Sequence, residues 1–156
     1  MAAEESHKFF PSGAWRGVYR YPDQHDGTQH DMRFHLRFRA GKITGAGTDD
    51  VGPFTWRGTY DVTSFVVVLT KRYATHQVFY EGMADAPGIF GRWNLLSQEQ
   101  RGELSQRLGP GWAEQFRDNL VNANGGFHLW PDRGDSDGAA RQRKKTKIRK
   151  VKTVGA

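Results

Sequence analysis

The stretch Met32–Tyr60, MRFHLRFRAGKITGAGTDDVGPFTWRGTY, constrains the fold more than any other part of the chain. Met32, Phe34, Leu36 and Phe38 alternate with Arg33, His35, Arg37 and Arg39. Side chains that change face at every residue belong to a β-strand with one dry and one wet surface; a helix would need apolar residues three and four apart. Ala40-Gly41 is short enough for a two-residue hairpin link. Ile43, Gly45 and Gly47 keep the spacing beyond it. After the Asp-, Gly- and Pro-rich turn 49–53, so do Phe54, Trp56, Gly58 and Tyr60. Three strands joined by tight turns form a meander.

The same period marks further strands at Trp15–Tyr21, Phe65–Tyr73, His76–Gly82, Ile89–Leu95 and, briefly, Phe127–Trp130. Between the last two the period changes. Ser97 with Gln100 forms a capping box, Leu104 and Leu108 lie four apart, and Gly109-Pro110-Gly111 breaks that helix. Trp112, Phe116 and Leu120 predict a second amphipathic helix packed on the strands. The fold class expected is mainly β: a single eight-stranded antiparallel up-and-down barrel over residues 13–131, with a helical insertion at about 97–124 before the last strand. A two-sheet sandwich is the rival. Residues 1–12 are expected to be a flexible lead-in, and 132–156 an acidic linker followed by a basic disordered tail.

The expected inner face is rich in rings, among them Trp15, Tyr19, Phe34, Phe38, Phe54, Trp56, Tyr60, Tyr73, Tyr80 and Trp93. Glycines 17, 45, 47, 58, 82 and 91 share that face. Large beside small is what a narrow barrel interior requires. Gly13-Ala14-Trp15 at the head of the first strand resembles the Gly-x-Trp of lipocalins, and the meander resembles the calycin-type barrels generally: lipocalins, fatty-acid-binding proteins and avidins. The resemblance runs from Gly13 to Trp130 and implies a small-ligand barrel. The chain departs from it in having no cysteine and in placing its helices before the last strand rather than after the first. Arg133 is the one candidate for the basic residue that lipocalins carry near the final strand.

Charge is unevenly distributed. The net charge of +6 comes from the end of the chain: residues 139–156 hold eight of the 23 Lys and Arg and no acid, leaving 15 basic against 17 acidic residues in 1–138. The folded part is therefore nearly neutral. Arg141, Arg143, Lys144, Lys145, Lys147, Arg149, Lys150 and Lys152 are candidate contacts to nucleic acid, an import receptor or an anionic membrane. Absence of cysteine excludes disulfides, thiolate zinc and cysteine catalysis. No apolar run reaches membrane length and the N-terminus lacks a signal-like core, so a cytoplasmic or nuclear monomer is expected.

In a meander, alternate loops lie at one end. The loops at 22–31, 49–53 and 74–75, with the insertion 97–124, therefore share an end, and this decorated end is the expected mouth, with the helices as lid or plug. Lys71, Tyr73, His76 and Tyr80 lie in the inward register there and are the candidate polar contacts for a small apolar or anionic ligand; Trp56 and Trp93 are candidate apolar walls. A rim position from which Lys71 snorkels to water is the alternative. Asp49-Asp50 either pairs with a nearby cation or makes a turn. His25, Asp26, His30 and Asp31 are metal-capable but lack a ligand spacing, so no metal or cofactor is expected. Nucleophile-elbow, P-loop and zinc-protease motifs are missing, so catalysis is not expected, an acid-base pair of His76 with Asp49 or Asp50 being the one open route. Two functions remain: a binding module with a small ligand at the decorated end, or a filled barrel that serves as an interaction scaffold through its surface and basic tail.

Overall fold

The computed structural model describes residues 3–22, 24, 27–115 and 123–133. Eight antiparallel strands form a closed barrel in up-and-down order: β1 (Gly13–Tyr19), β2 (His30–Arg39), β3 (Lys42–Asp49), β4 (Pro53–Tyr60), β5 (Val66–Tyr73), β6 (Gln77–Asp85), β7 (Gly88–Asn94) and β8 (Asn124–Pro131). Two helices, α1 (Gln98–Leu108) and α2 (Trp112–Gln115), precede β8. β8 pairs with β1, Trp15 opposite Pro131 and Tyr19 opposite Phe127, and this seam closes the ring.

The register follows the sequence pattern. Met32, Phe34, Leu36 and Phe38 are buried while Arg33, His35 and Arg37 face water. Ala40 and Gly41 take φ of 50° and 79°, the left-handed pair that a two-residue hairpin demands. The inward glycines admit close backbone approach: a Cβ on Gly58 would run into the Val68 carbonyl of β5, and one on Gly91 into Glu81 of β6.

The ends of the barrel differ. At one end, the expected flexible lead-in is instead a packed plug. Phe10 is wholly buried against Phe38 (5.5 Å between ring centres) and Tyr60 (4.7 Å). Polar bonds secure the backbone around it: Glu5 N–H donates to the Phe38 carbonyl (3.0 Å), Phe38 N–H to Ser12 Oγ (2.9 Å), Trp15 Nε1–H to the Pro11 carbonyl (2.8 Å), and Tyr60 OH to Glu5 (2.8 Å). The physical reason is an aromatic floor, Phe38 and Tyr60, that would otherwise meet water; Phe10 covers it, and Phe9 packs beside it on Phe65 (5.3 Å between ring centres).

At the other end, among the described residues, neither helix buries a side chain in the barrel. Ser97 and Gln100 make the expected capping box, with reciprocal bonds of 3.1 and 2.9 Å, yet α1 buries no residue. Its tie to the wall is the ion pair Arg101–Glu81 (3.2 Å). Trp112 is half-buried, and Phe116 and Leu120 of the expected stripe lie outside the described residues, as do the tail residues 139–156.

Candidate functional site

The open end is built by β1, β3, β5, β6 and β7 where they emerge into the decorated loops. Between them lies a cavity of about 160 Å³ lined by Tyr19, Tyr21, Val51, Tyr73, His76, Val78, Tyr80, Trp93 and Leu95. Four of the six ligand-site candidates from the sequence, Tyr73, His76, Tyr80 and Trp93, meet around this space. The inward register delivers Tyr73, Tyr80 and Trp93. His76 falls just before β6, is exposed, and reaches the rim by stacking on Tyr73 at 4.8 Å and 24°.

The other two, Lys71 and Trp56, lie beneath the cavity and do not line it. Lys71 has no exposure and does not snorkel. Its ammonium donates to Asp49 Oδ2, approaches Met32 Sδ at 3.1 Å and Tyr80 OH at 3.4 Å, and sits over the rings of Phe54 (4.4 Å), Tyr19 (4.8 Å) and Tyr73 (5.0 Å). Trp56 packs edge-on against Tyr80 (4.9 Å, 88°). The reason Lys71 points inward is register: its neighbours in the β5 alternation, Leu69 and Tyr73, are both core, and Asp49 holds its ammonium there. Burial without full compensation depresses its pKa to about 8, although the Asp49 bond and charge and the Asp50 charge oppose the fall.

Asp49 takes both roles that the sequence allowed. Oδ2 accepts from Lys71 and from Tyr73 OH; Oδ1 caps the turn by accepting from the amides of Val51 (2.9 Å) and Gly52 (3.3 Å). Asp50 points to the opposite wall, where it accepts from Tyr19 OH and bonds His30 Nδ1 at 2.5 Å; His30 Nε2 continues to Gln24 Oε1 at 2.9 Å. Desolvation raises the pKa of Asp50, but the bonds from Tyr19 and His30, with the charge of His30, outweigh it and hold the carboxyl below its usual range. Burial first, and a bond to a carboxylate second, push Tyr19 and Tyr73 far above the ordinary phenol value; Tyr80 is raised chiefly by burial. These phenols are therefore neutral donors at any physiological pH.

Tyr19, Tyr21 and Trp93 form an aromatic corner. Tyr21 is 5.3 Å from Trp93 at 83°, Tyr19 is 5.8 Å from Tyr21 at 78°, and Tyr19 is 6.4 Å from Trp93 at 86°. The Trp93 indole donates to the Arg20 carbonyl (3.1 Å), which fixes its plane. Sequence reasoning placed Tyr19 inside but did not name it, Tyr21, Val78 or the Asp50–His30 pair as site residues. For Tyr21 the signal was present in the Trp15, Gly17, Tyr19, Tyr21 alternation; for Asp50–His30 there was none, because two loops meet there. Among the described residues no group of three or more His, Cys, Asp or Glu could hold a metal ion, and His25 and Asp26 lie outside them.

Fold and site together define a closed eight-stranded barrel, plugged at one end and carrying an aromatic, carboxylate-backed cavity at the other. No family model, curated protein or solved structure matches the chain.

Proposed function

We propose that this protein is a non-catalytic binding module that takes a small apolar or mixed ligand into the open end of its barrel. The observation that carries the reading is the asymmetry of the two ends: one is filled by Phe10 and its bonded backbone, and the other keeps a cavity of about 160 Å³ walled by aromatics. Largely apolar walls with a few fixed polar groups are the usual construction of a small-molecule site. The Gly13-Ala14-Trp15 opening and the calycin-like meander agree with it. The volume restricts the buried part of the ligand to one compact group, because drug-sized pockets run to about 300–1,000 Å³. Native mass spectrometry of protein purified from its own source tests the proposal. Wild type should retain a small molecule, and Val78→Phe, which fills the cavity from a buried wall position, should lose it while remaining folded. Wild type that arrives empty and gives no response to a broad small-molecule panel would sink the reading.

A second reading, an interaction scaffold, draws on the outer wall. Val66, Met83 and Phe90 lie side by side across β5, β6 and β7 and are 45%, 48% and 47% exposed. With the basic residues Arg141–Lys152 they would serve docking to protein, nucleic acid or an anionic membrane. An empty wild-type barrel that nonetheless pulls down a defined partner favours this second function.

A further inference from the structure

Resting on the reading of the open end as a ligand site, we propose that its occupant is a compact organic cation, an ammonium group bearing methyl substituents. Tyr19, Tyr21 and Trp93 meet as three mutually steep planes, between 78° and 86°, at one side of the cavity, and Tyr73 stands in its wall as well. Ring planes that meet steeply beside a small space can turn more than one electron-rich face toward one rounded guest. Such an arrangement suits a methylated ammonium, whose charge is spread over its methyl surface and lightly hydrated.

The charge of the site points the same way. Asp49 and Asp50 stand behind the walls and accept from the Tyr73 and Tyr19 hydroxyls. Donating a hydrogen bond to a carboxylate pushes electron density into a phenol ring and strengthens its attraction for a cation. Lys71 cancels the charge of Asp49; Asp50, bonded to the His30 imidazole at 2.5 Å, keeps a side chain that is 50% exposed at the mouth. An anionic ligand would approach the exposed Asp50 carboxylate, and the ammonium that could greet it is sealed under the floor and already bonded to Asp49. The barrel also holds a cation in this kind of surrounding: the Lys71 ammonium lies 4.8 Å from the Tyr19 ring centre and 5.0 Å from that of Tyr73.

Choline and its neutral carbon analogue 3,3-dimethyl-1-butanol, which share shape and differ in charge, separate the possibilities. Each is titrated into the full chain at pH 7.5, with tryptophan fluorescence and amide chemical shifts as readouts. Choline should bind at least tenfold more tightly than the alcohol, with shifts at the cavity residues. Asp50→Asn should weaken choline about fivefold or more and leave the alcohol unchanged. Tyr21→Leu, which removes one wall without touching a carboxylate, should weaken choline as well. Equal binding of choline and alcohol overturns the cation inference and leaves the small-ligand function standing. No response to choline up to 50 mM overturns the inference too, and the retained-ligand comparison of wild type with Val78→Phe then decides the function separately.

Discussion

Replacing Lys71 with Met removes one half of an ion pair whose partners are 1% and 0% exposed at the side chain. The Met side chain is close to isosteric with the lysine stem and would lie among Met32, Phe54 and Tyr80, so packing is largely kept. What remains is the Asp49 carboxylate without its ammonium. Removing one partner of a buried pair costs roughly 3–5 kcal/mol. Asp49 keeps the Tyr73 hydroxyl and two turn amides, which places the cost at the low end, about 3 kcal/mol. With a urea m-value of about 2 kcal/mol/M, the unfolding midpoint should fall by roughly 1.5 M. Asp49→Asn alone should also destabilise, since it strands the ammonium. The double variant Lys71→Met/Asp49→Asn should recover to within about 1 kcal/mol of wild type, because a buried pair replaced as a unit is often neutral. Equilibrium urea denaturation at pH 7 on all four proteins completes the cycle. A Lys71→Met protein within 0.5 kcal/mol of wild type, or single losses that simply add in the double variant, would refute the buried-pair account.

Further outcomes follow from the same geometry. Stability should rise with pH above about 8: the folded Lys71 releases its proton there while the unfolded lysine holds it to about 10.5, a contribution of about 3 kcal/mol that Lys71→Met should abolish. Above about pH 10 the trend should reverse, because Tyr19, Tyr73 and Tyr80 ionise in the unfolded chain and not in the folded one; urea midpoints across pH 7–11 trace both limbs. Phe10→Ala should cost about 3–5 kcal/mol in thermal or urea unfolding, whereas a free lead-in would make it silent. Gly58→Ala should cost about 2–3 kcal/mol, as its methyl is driven into the β5 backbone; a neutral result would mean that β4 and β5 are less tightly coiled. Removing residues 139–156 should weaken binding to RNA or anionic vesicles in low salt, and the lost component should be the salt-sensitive one.

The barrel was legible in the sequence because a strand's period is local: Met32, Phe34, Leu36 and Phe38 declare their face whatever they pack against. The order of the strands and the shared end of the decorated loops then followed from tight turns such as Ala40-Gly41. Three things were not legible. The plug at 4–12 has no period, and Phe9-Phe10 gains meaning only when Phe38 and Tyr60 supply a floor to cover. The capping box of α1 is encoded within four residues, but its lack of buried side chains depends on a wall elsewhere in the chain. Lys71 was read to the inside correctly, yet whether it reached the rim or the core depended on where the turn at Asp49 would set its carboxylate, 22 residues away.

The β1–β8 seam described above also bears on how the chain is made. Seven strands are synthesised before the eighth, so β1 and β7 both present unpaired edges until Asn124–Pro131 emerges. At roughly 5–20 residues per second, translating the stretch from Leu95 through β8 takes on the order of 2–7 s. Throughout that interval an aromatic-rich curl of sheet stands open on the ribosome, with two strand edges free to recruit a neighbouring nascent chain. Cellular yield should then depend more on chaperone supply and synthesis rate than on the stability of the finished barrel.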